Sequence, residues 1–228
     1  MIITFISDTH NKHKQMPELP GGDLLIHSGD ATSQGYAGEI DSFCKWFDSI
    51  PNYNCKIFIA GNHDWGFQNN RDRIDEILSN YPDIIYLQDS FCVYVDEEGE
   101  SVKIYGSPWQ PEFHNWAFNL PRNGESLKAK WEIIPDDTDI LVTHGPPYDI
   151  LDKATGNPMP LGCELLAEAV AKKMPKIHVF GHIHGGHGYK YKDGTNYINA
   201  AVLNDNYEMV NKPVTIEWYP TTNEIDFI

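Results

Sequence analysis

Apolar residues recur along the chain in short runs rich in β-branched side chains. These are Ile2–Ile6, Leu24–Ile26, Lys56–Ala60, Phe91–Val95, Lys103–Gly106, Ile140–Thr143, Ile177–Phe180, Tyr197–Ala201 and Val214–Trp218. Each has the length and composition of a buried strand. Other stretches place apolar residues at helix spacing: Ala37–Asp48 (Ile40, Phe43, Cys44, Phe47), Asp72–Ser79 (Ile74, Ile77, Leu78) and Gly162–Met174 (Leu165, Leu166, Ala169, Val170). Strand and helix alternate in the first part, and the C-terminal part is mostly strand. The pattern predicts an α/β fold of two packed sheets flanked by helices, not a single doubly wound sheet. Between them Pro108–Pro121, with Trp109, Phe113, Trp116 and Phe118, reads as a long structured loop. Loops of that length are uncommon unless they bind or cover something.

The 228 residues fit one domain spanning 1–228, long enough to bury a full core without staples. With 41% hydrophobic and 22% charged residues, disordered and fibrous classes are excluded. The formal charge is −16, and the only arginines are Arg71, Arg73 and Arg122. Such a surface repels nucleic-acid backbones and anionic membranes, so long nucleic acid and membrane are not expected partners. Cys44, Cys55, Cys92 and Cys163 form no C-x-x-C pair. Reduced, mostly buried thiols are therefore expected, not a disulfide framework. The first apolar run stops at Ser7-Asp8, too short for a signal peptide, and no stretch approaches a membrane span. A soluble cytoplasmic protein is expected, with its oligomeric state open.

Several strand-like runs end in Asp, His, Asn and Gly. Ile2–Ile6 runs into Ser7-Asp8-Thr9-His10, Leu24–Ile26 into His27-Ser28-Gly29-Asp30, and Ile57–Ala60 into Gly61-Asn62-His63-Asp64. Ile140–Val142 leads to Thr143-His144-Gly145-Pro146-Pro147, and His178–Phe180 to Gly181-His182-Ile183-His184-Gly185-Gly186. In open α/β sheets ligands bind beyond the carboxyl ends of the strands, so these ends can converge. Asp8/His10 and His182/His184 are i, i+2 pairs, which extended backbone projects to one side. The donors are carboxylate, imidazole and amide without thiolate, which suits Mn, Fe, Zn or Ni. There are more of them than one tetrahedral ion needs, and a two-metal site with a bridging carboxylate uses them all.

The ordered blocks D-x-H, G-D, G-N-H-D, H-G-P-P and G-H-x-H resemble the motif set of the calcineurin-like metallophosphoesterases. The stretches Tyr86-Leu87-Gln88-Asp89-Ser90, Ile104–Trp109, Phe118–Arg122 and His178–Gly181 narrow the resemblance to the metallophosphoesterase-domain-containing (MPPED-like, UPF0046) subfamily. The resemblance implies a four-layer α/β/β/α sandwich and two divalent metal ions, with Mn first and Fe, Zn or Ni as alternatives. It implies that Asp8, His10 and His184 hold the first ion, that Asp30 bridges, and that Asn62, His144 and His182 complete the second. His63 would stand beside the scissile phosphate as the catalytic residue. Protein Ser/Thr phosphatases extend these blocks to G-D-x-x-D-R and N-H-E. Gly29-Asp30-Ala31-Thr32-Ser33-Gln34 lacks that second Asp and the Arg, and Asp64 replaces the Glu. His63 thus loses the usual orienting carboxylate, and a monoester dianion loses a bidentate clamp.

The implied activity is hydrolysis of a small phosphodiester or nucleotide, cyclic nucleotides included, by a hydroxide that the two ions share. Such activity would rise with pH through neutrality and vanish with chelators. A phosphomonoesterase on the same metals is the alternative, as is a weakly catalytic nucleotide- or metal-binding regulatory module. Asn11, Lys12, His114 and His187 are candidate substrate contacts. Asp64 is expected to cap the following turn or brace the site, His27 and His178 to be satisfied core groups, and His13 to lie at the surface.

Overall fold

Strands that are apolar on both faces need a covering layer on each side. The computed structural model describes residues 1–228. In chain order the elements are β1 (Ile2–Ile6), β2 (Gly22–His27), α1 (Ala37–Ser49), β3 (Tyr53–Phe58), α2 (Trp65–Asn69), α3 (Arg71–Leu78), β4 (Ile84–Tyr86), β5 (Ser90–Val95) and β6 (Ser101–Ser107). They continue with β7 (Gln110–Pro111), β8 (Asn119–Leu120), α4 (Glu125–Glu132), β9 (Ile140–Thr143), α5 (Glu164–Lys173), β10 (Ile177–Phe180), β11 (Gly188–Lys192), β12 (Thr195–Asn199), β13 (Val214–Tyr219) and β14 (Glu224–Phe227).

One six-stranded sheet runs β14-β13-β1-β2-β3-β4 and the other β11-β12-β10-β9-β6-β5. Within them β1 to β4 are mutually parallel, and so are β12, β10, β9 and β6. Side chains alternate between the faces of each strand. Ile3, Phe5, Leu24, Ile26 and Ile57 of the first sheet therefore meet Ile104, Ile140, Val142, Val179 and Ile198 of the second in one core. The opposite faces turn Ile6, Leu25 and Phe58 toward Ile40, Phe43 and Phe47 of α1, and Leu141, Phe180 and Tyr197 toward Leu127, Trp131, Leu166 and Val170 of α4 and α5. The result is four layers, α/β/β/α, as the apolar pattern and the resemblance imply.

The helices follow from the same spacing. Ile40, Phe43, Cys44 and Phe47 form the buried stripe of α1. Its start is fixed by Glu39, whose carboxylate accepts from the Tyr36 and Gln34 backbone N–H groups at 3.1 Å each. At α5, Cys163 Sγ accepts from Leu166 N at 3.3 Å, and the helix stops where Met174 turns left-handed. Missing from the apolar pattern are the short β4, the polar edge strands β11 and β14, and α2 and α4, which bury only Phe67 and only Leu127 and Trp131 respectively. Pro108–Pro121 holds the two-residue pair β7/β8 inside its loop. His13 departs from expectation: it is 2% exposed and packs beside Trp46 and Phe43 at ring distances of 5.2 and 6.0 Å. No helix is long and apolar enough to cross a membrane.

Because β1, β2 and β3 of one sheet and β9 and β10 of the other finish at the same end of the sandwich, five polar strand-end loops meet there. Val202 N donates to Ser7 O at 3.0 Å and ties the two sheets together at that edge.

Candidate metal centre

Three sets of side chains converge, the donor atoms within each lying within 4.8 Å of one another. They are Asp8, His10 and His184; His10, Asp30 and His63; and Asp30, His144 and His182. His10 and Asp30 each belong to two sets, so the array is continuous, with Asp30 between His10 (3.5 Å), His63 (4.0 Å) and His144 (3.4 Å). Asn62 joins through its Oδ1, 2.9 Å from His144 Nε2. Every candidate read from the strand ends lies in this array.

Extended backbone is not what brings the i, i+2 pairs together. Asp8, His10, Asp30 and His182 have φ of 56°, 39°, 55° and 65°, all in the left-handed region. Asp, Asn and His tolerate that region better than other non-glycine residues, yet each such residue costs on the order of 1–3 kcal/mol. The chain thus turns sharply after β1, β2 and β10, and the backbone strain it carries there aims these side chains inward. Gly181 shows how closely the loops approach. A Cβ there would lie 2.0 Å from Asp8 Oδ2 and 2.1 Å from Ser7 Oγ. Gly181→Ala is expected to displace Asp8, cut metal-dependent activity by at least about 100-fold and cost roughly 1–3 kcal/mol of stability. Metal titration beside thermal unfolding checks it, and near-wild-type metal affinity would contradict it.

The histidine rings are oriented by backbone carbonyls. His144 Nδ1 donates to Ser28 O (3.0 Å), His184 Nδ1 to Asn204 O (2.9 Å) and His63 Nδ1 to Ser33 O (2.9 Å). Each leaves Nε2 facing the carboxylates, the arrangement expected of metal-binding imidazoles. For His63 the Ser33 carbonyl takes the place of the carboxylate that protein phosphatases supply, and Trp116 stacks on the ring at 4.0 Å. Asp64 is the brace. It is fully buried and accepts from Ala31 N (3.2 Å), Thr32 N (2.9 Å), Thr32 Oγ1 (2.6 Å) and Gly61 N (2.8 Å), clamping the loop after β2 to the loop after β3. Its side chain makes no cap on α2.

The electrostatics call for positive charge. Burial alone would raise the Asp30 carboxyl, but His144, by charge and hydrogen bond, and then His10 and His63 hold it well below its ordinary value. Asp8 is likewise lowered against its burial by His184 and His144. In return, and against their own burial, His144 and His184 are raised to about 9 by Asp30 and Asp8 respectively. Burial pushes His10 down to about 4 and His182 to about 3. Both nitrogens of His10 are buried without a hydrogen-bond partner, which a structural histidine rarely tolerates. Two buried carboxylates, an amide oxygen, imidazoles aimed through Nε2 and one imidazole with nothing to bond fit a pair of divalent cations.

A family model for calcineurin-like phosphoesterases matches residues 1–186. The chain belongs to that family. Its members depend on a dinuclear metal centre, so this phosphoesterase is metal-dependent as well. The chain is 40% identical to metallophosphoesterase domain-containing protein 1 of Homo sapiens over 93% of its own length and 69% of that protein's. A UPF0046 protein of Caenorhabditis elegans, T07D4.2, is 35% identical over 93% of this chain and 58% of its own. Among solved structures TT1561 of Thermus thermophilus has the same fold, with a TM-score of 0.65 at 14% identity, covering 99% of this chain and 97% of that one.

Around the phosphoesterase centre lies a cleft of about 190 Å³, lined by His10, Asp30, Asn62, His182 and His184 together with His63, Phe113, Trp116, Asp205 and Tyr207. Tyr207 sits edge-on to His10 and His184 at 4.9 and 5.4 Å. It lies in the polar turn Asn204-Asp205-Asn206-Tyr207, which carries no motif, so sequence reading misses it. Of the candidate substrate contacts, none lines this cleft. Asn11 donates to Glu39, Lys12 donates to the Tyr207 carbonyl, His114 is exposed against Phe113, and His187 lines a separate cavity with Lys153 and Lys190.

Proposed function

We propose that this phosphoesterase hydrolyses small phosphodiesters, with Mn as the first choice of metal and Fe, Zn or Ni as alternatives. The observation that carries this reading is the charge of the cleft. No Lys or Arg lines it, and Asp205 adds a further carboxylate to its wall. A monoester dianion brings two negative charges and, in the wider family's protein phosphatases, would meet an arginine clamp; a diester brings one charge and needs none. Asp8, His10 and His184 would hold one ion, Asn62, His144 and His182 the other, with Asp30 between them. Bound there, the ions would supply Lewis acidity, polarising the phosphoryl group and lowering the pKa of water toward about 7.

The protein's own part is orientation and proton delivery. The Ser33 carbonyl and the Trp116 ring fix His63, so that its Nε2 points into the cleft. When protonated it donates a hydrogen bond to the ester's leaving oxygen and passes it the proton. General acids of this kind contribute roughly 10²–10⁴-fold. The buried Asp64 brace keeps Asp30 and His63 in register.

The test compares bis(p-nitrophenyl) phosphate with p-nitrophenyl phosphate, using chelator-stripped protein with and without Mn²⁺. The expected result is Mn-dependent turnover favouring the diester, lowered about 10²-fold or more in His63→Ala with metal affinity retained. A higher kcat/KM for the monoester would make the chain a monoesterase. Stoichiometric metal binding without turnover of either would make it a binding module.

A further inference from the structure

An edge strand offers its unpaired backbone N–H and C=O groups to any strand that comes alongside. Of the four edges of the two six-stranded sheets, three carry a guard. β4 has only three residues, β11 carries Lys190 and Lys192, and β14 carries Glu224 and Asp226. Short length and charged side chains are the usual means of keeping an edge from pairing. β5 has neither. Its six residues, Ser90-Phe91-Cys92-Val93-Tyr94-Val95, include no charge, proline or glycine in a chain of net charge −16, and it pairs only with β6.

The ladder with β6 fixes which backbone groups are free. Asp96 N donates to Glu100 O at 3.0 Å where the hairpin closes. Antiparallel pairs alternate between bonded and non-bonded, so Tyr94, Cys92 and Ser90 turn their backbone groups to β6, and Val95, Val93 and Phe91 turn theirs away. Lys103, opposite Val93, has the same phase. Its carbonyl accepts from Asp139 N at 3.0 Å and its N–H goes to the Asp139 carboxylate at 2.9 Å, which leaves nothing for Val93. The side chains of Phe91, Val93 and Val95 stand opposite Tyr105, Lys103 and Ser101, and they are 52%, 51% and 57% exposed. Cys92 and Tyr94 pack instead against the core between the sheets. Lys103 Nζ lies over the Phe91 ring at 4.9 Å and pairs with Asp137, so it does not guard the edge.

A strand laid antiparallel along this edge must match outward groups with outward groups. A second β5 does so about a two-fold axis at Val93. Val93 then faces the partner's Val93, Phe91 the partner's Val95, and Val95 the partner's Phe91. Each such pair exchanges two hydrogen bonds, so every outward group of the three residues is used, and a slip of two residues loses a pair. Residues directly opposite share a face, so the half-exposed apolar side chains of both copies form one stripe. The same register carries the partner's acidic turn of residues 96–98 past Ser90, Asp89 and Gln88. There Arg71 donates to Gln88 Oε1 at 3.1 Å and Lys130 to Asp89 at 2.6 Å, so the turn arrives beside two cations.

We infer that β5 is a self-association edge, through which two copies of this chain pair antiparallel at Phe91, Val93 and Val95 and join their second sheets into one. β6 runs parallel to β9 and ends at the metal-bearing end of the sandwich, so β5 begins there. The two-fold therefore sets the two metal centres at opposite ends of the joined sheet, and each works alone. One strand of six residues buries less than a standard interface, and a Kd on the order of 10 µM is expected.

Sedimentation velocity on the full chain from about 1 to about 200 µM brackets that Kd and should show the mass rise from one chain toward two. Amide hydrogen exchange reads the register. The Phe91, Val93 and Val95 amides should slow several-fold with concentration, while those of Cys92 and Tyr94, already bonded to β6, should not change. Val93→Lys sets two ammonium groups against each other on the axis and should weaken association at least about tenfold, with thermal unfolding and hydrolysis unchanged. Val93→Thr keeps the β-branched shape and the backbone bonds, and should still associate. The exchange pattern is read on the wild type and depends on no variant. A chain that stays single at the top of the concentration range overturns the inference. So does a dimer whose three outward amides exchange as fast as in the single chain, or one whose affinity survives Val93→Lys.

Discussion

Asp30→Asn is expected to abolish metal-dependent hydrolysis and most of the thermal stabilisation that added metal confers. Asp30 is the one carboxylate within 4.0 Å of His10, His63 and His144 together, so both halves of the centre draw on it. The change is nearly isosteric. Asn can still accept the His63 N–H that Asp30 Oδ1 receives at 2.8 Å, so the loop after β3 keeps its anchor. What disappears is the negative charge. Metal centres of this kind supply several kcal/mol of transition-state stabilisation, and each 1.36 kcal/mol is about tenfold in rate, so kcat/KM should fall by about 10³ or more. Binding of a ligand at a hundred times its Kd stabilises by about 2.7 kcal/mol, and 1 kcal/mol shifts Tm by roughly 2–4 °C in a chain of this size. Wild type should therefore gain on the order of 10 °C with saturating Mn²⁺ and Asp30→Asn only a fraction of it. A full Tm shift in the variant would show that the carboxylate does not bridge.

The second large effect is acid lability, and part of it comes from outside the site. His27 and His178 are both 0% exposed. Burial pushes His178 down to about 3; burial does the same to His27, with Asp8 and Asp30 partly opposing it. The tautomers are legible. Thr143 Oγ1 donates to Gly145 O and accepts from His178 Nε2–H at 2.8 Å, leaving His178 Nδ1 unpartnered. Thr9 Oγ1 donates to Ala31 O and accepts from His27 Nε2–H, while Gly29 N–H donates to His27 Nδ1. Neither ring has an acceptor waiting for a second proton. Both folded values lie below the ordinary 6.5, so the unfolded chain binds more protons between about 6.5 and 3, and stability falls as the pH drops through that window. Two such groups give a slope of roughly 3 kcal/mol per pH unit at most, above the carboxylate range. Denaturant unfolding at a series of pH values from about 7 to about 4 measures it. His178→Phe should lower the slope by about 1.4 kcal/mol per pH unit, the share of one proton, and an unchanged slope in that variant would show that His178 takes no part in the acid sensitivity.

How far the chain could be read in advance depended on how local each feature is. The central strands were legible because both of their faces carry apolar residues, as Phe5 and Ile6 or Leu141 and Val142 do. The edge strands β11 and β14 were not, since their exposed polar residues take strand geometry only from pairing with β12 and β13. His13 looked like a surface residue because it sits in a polar stretch. Its burial is decided by Trp46 and Phe43, which arrive from a helix that begins more than twenty residues later.

The same division runs through the site. The sequence alone determined which donors stand at the strand ends and in what order, because carboxylate, imidazole and amide are properties of individual side chains. It thereby determined the family. Only the tertiary structure decided how those donors meet: the left-handed turns at Asp8, His10, Asp30 and His182, the Asp64 brace, and the carbonyls of Ser28, Ser33 and Asn204 behind the imidazoles. Each of these is a relation between segments far apart in the chain, set by which strands pair and which loops pack, and no stretch of residues carries it by itself.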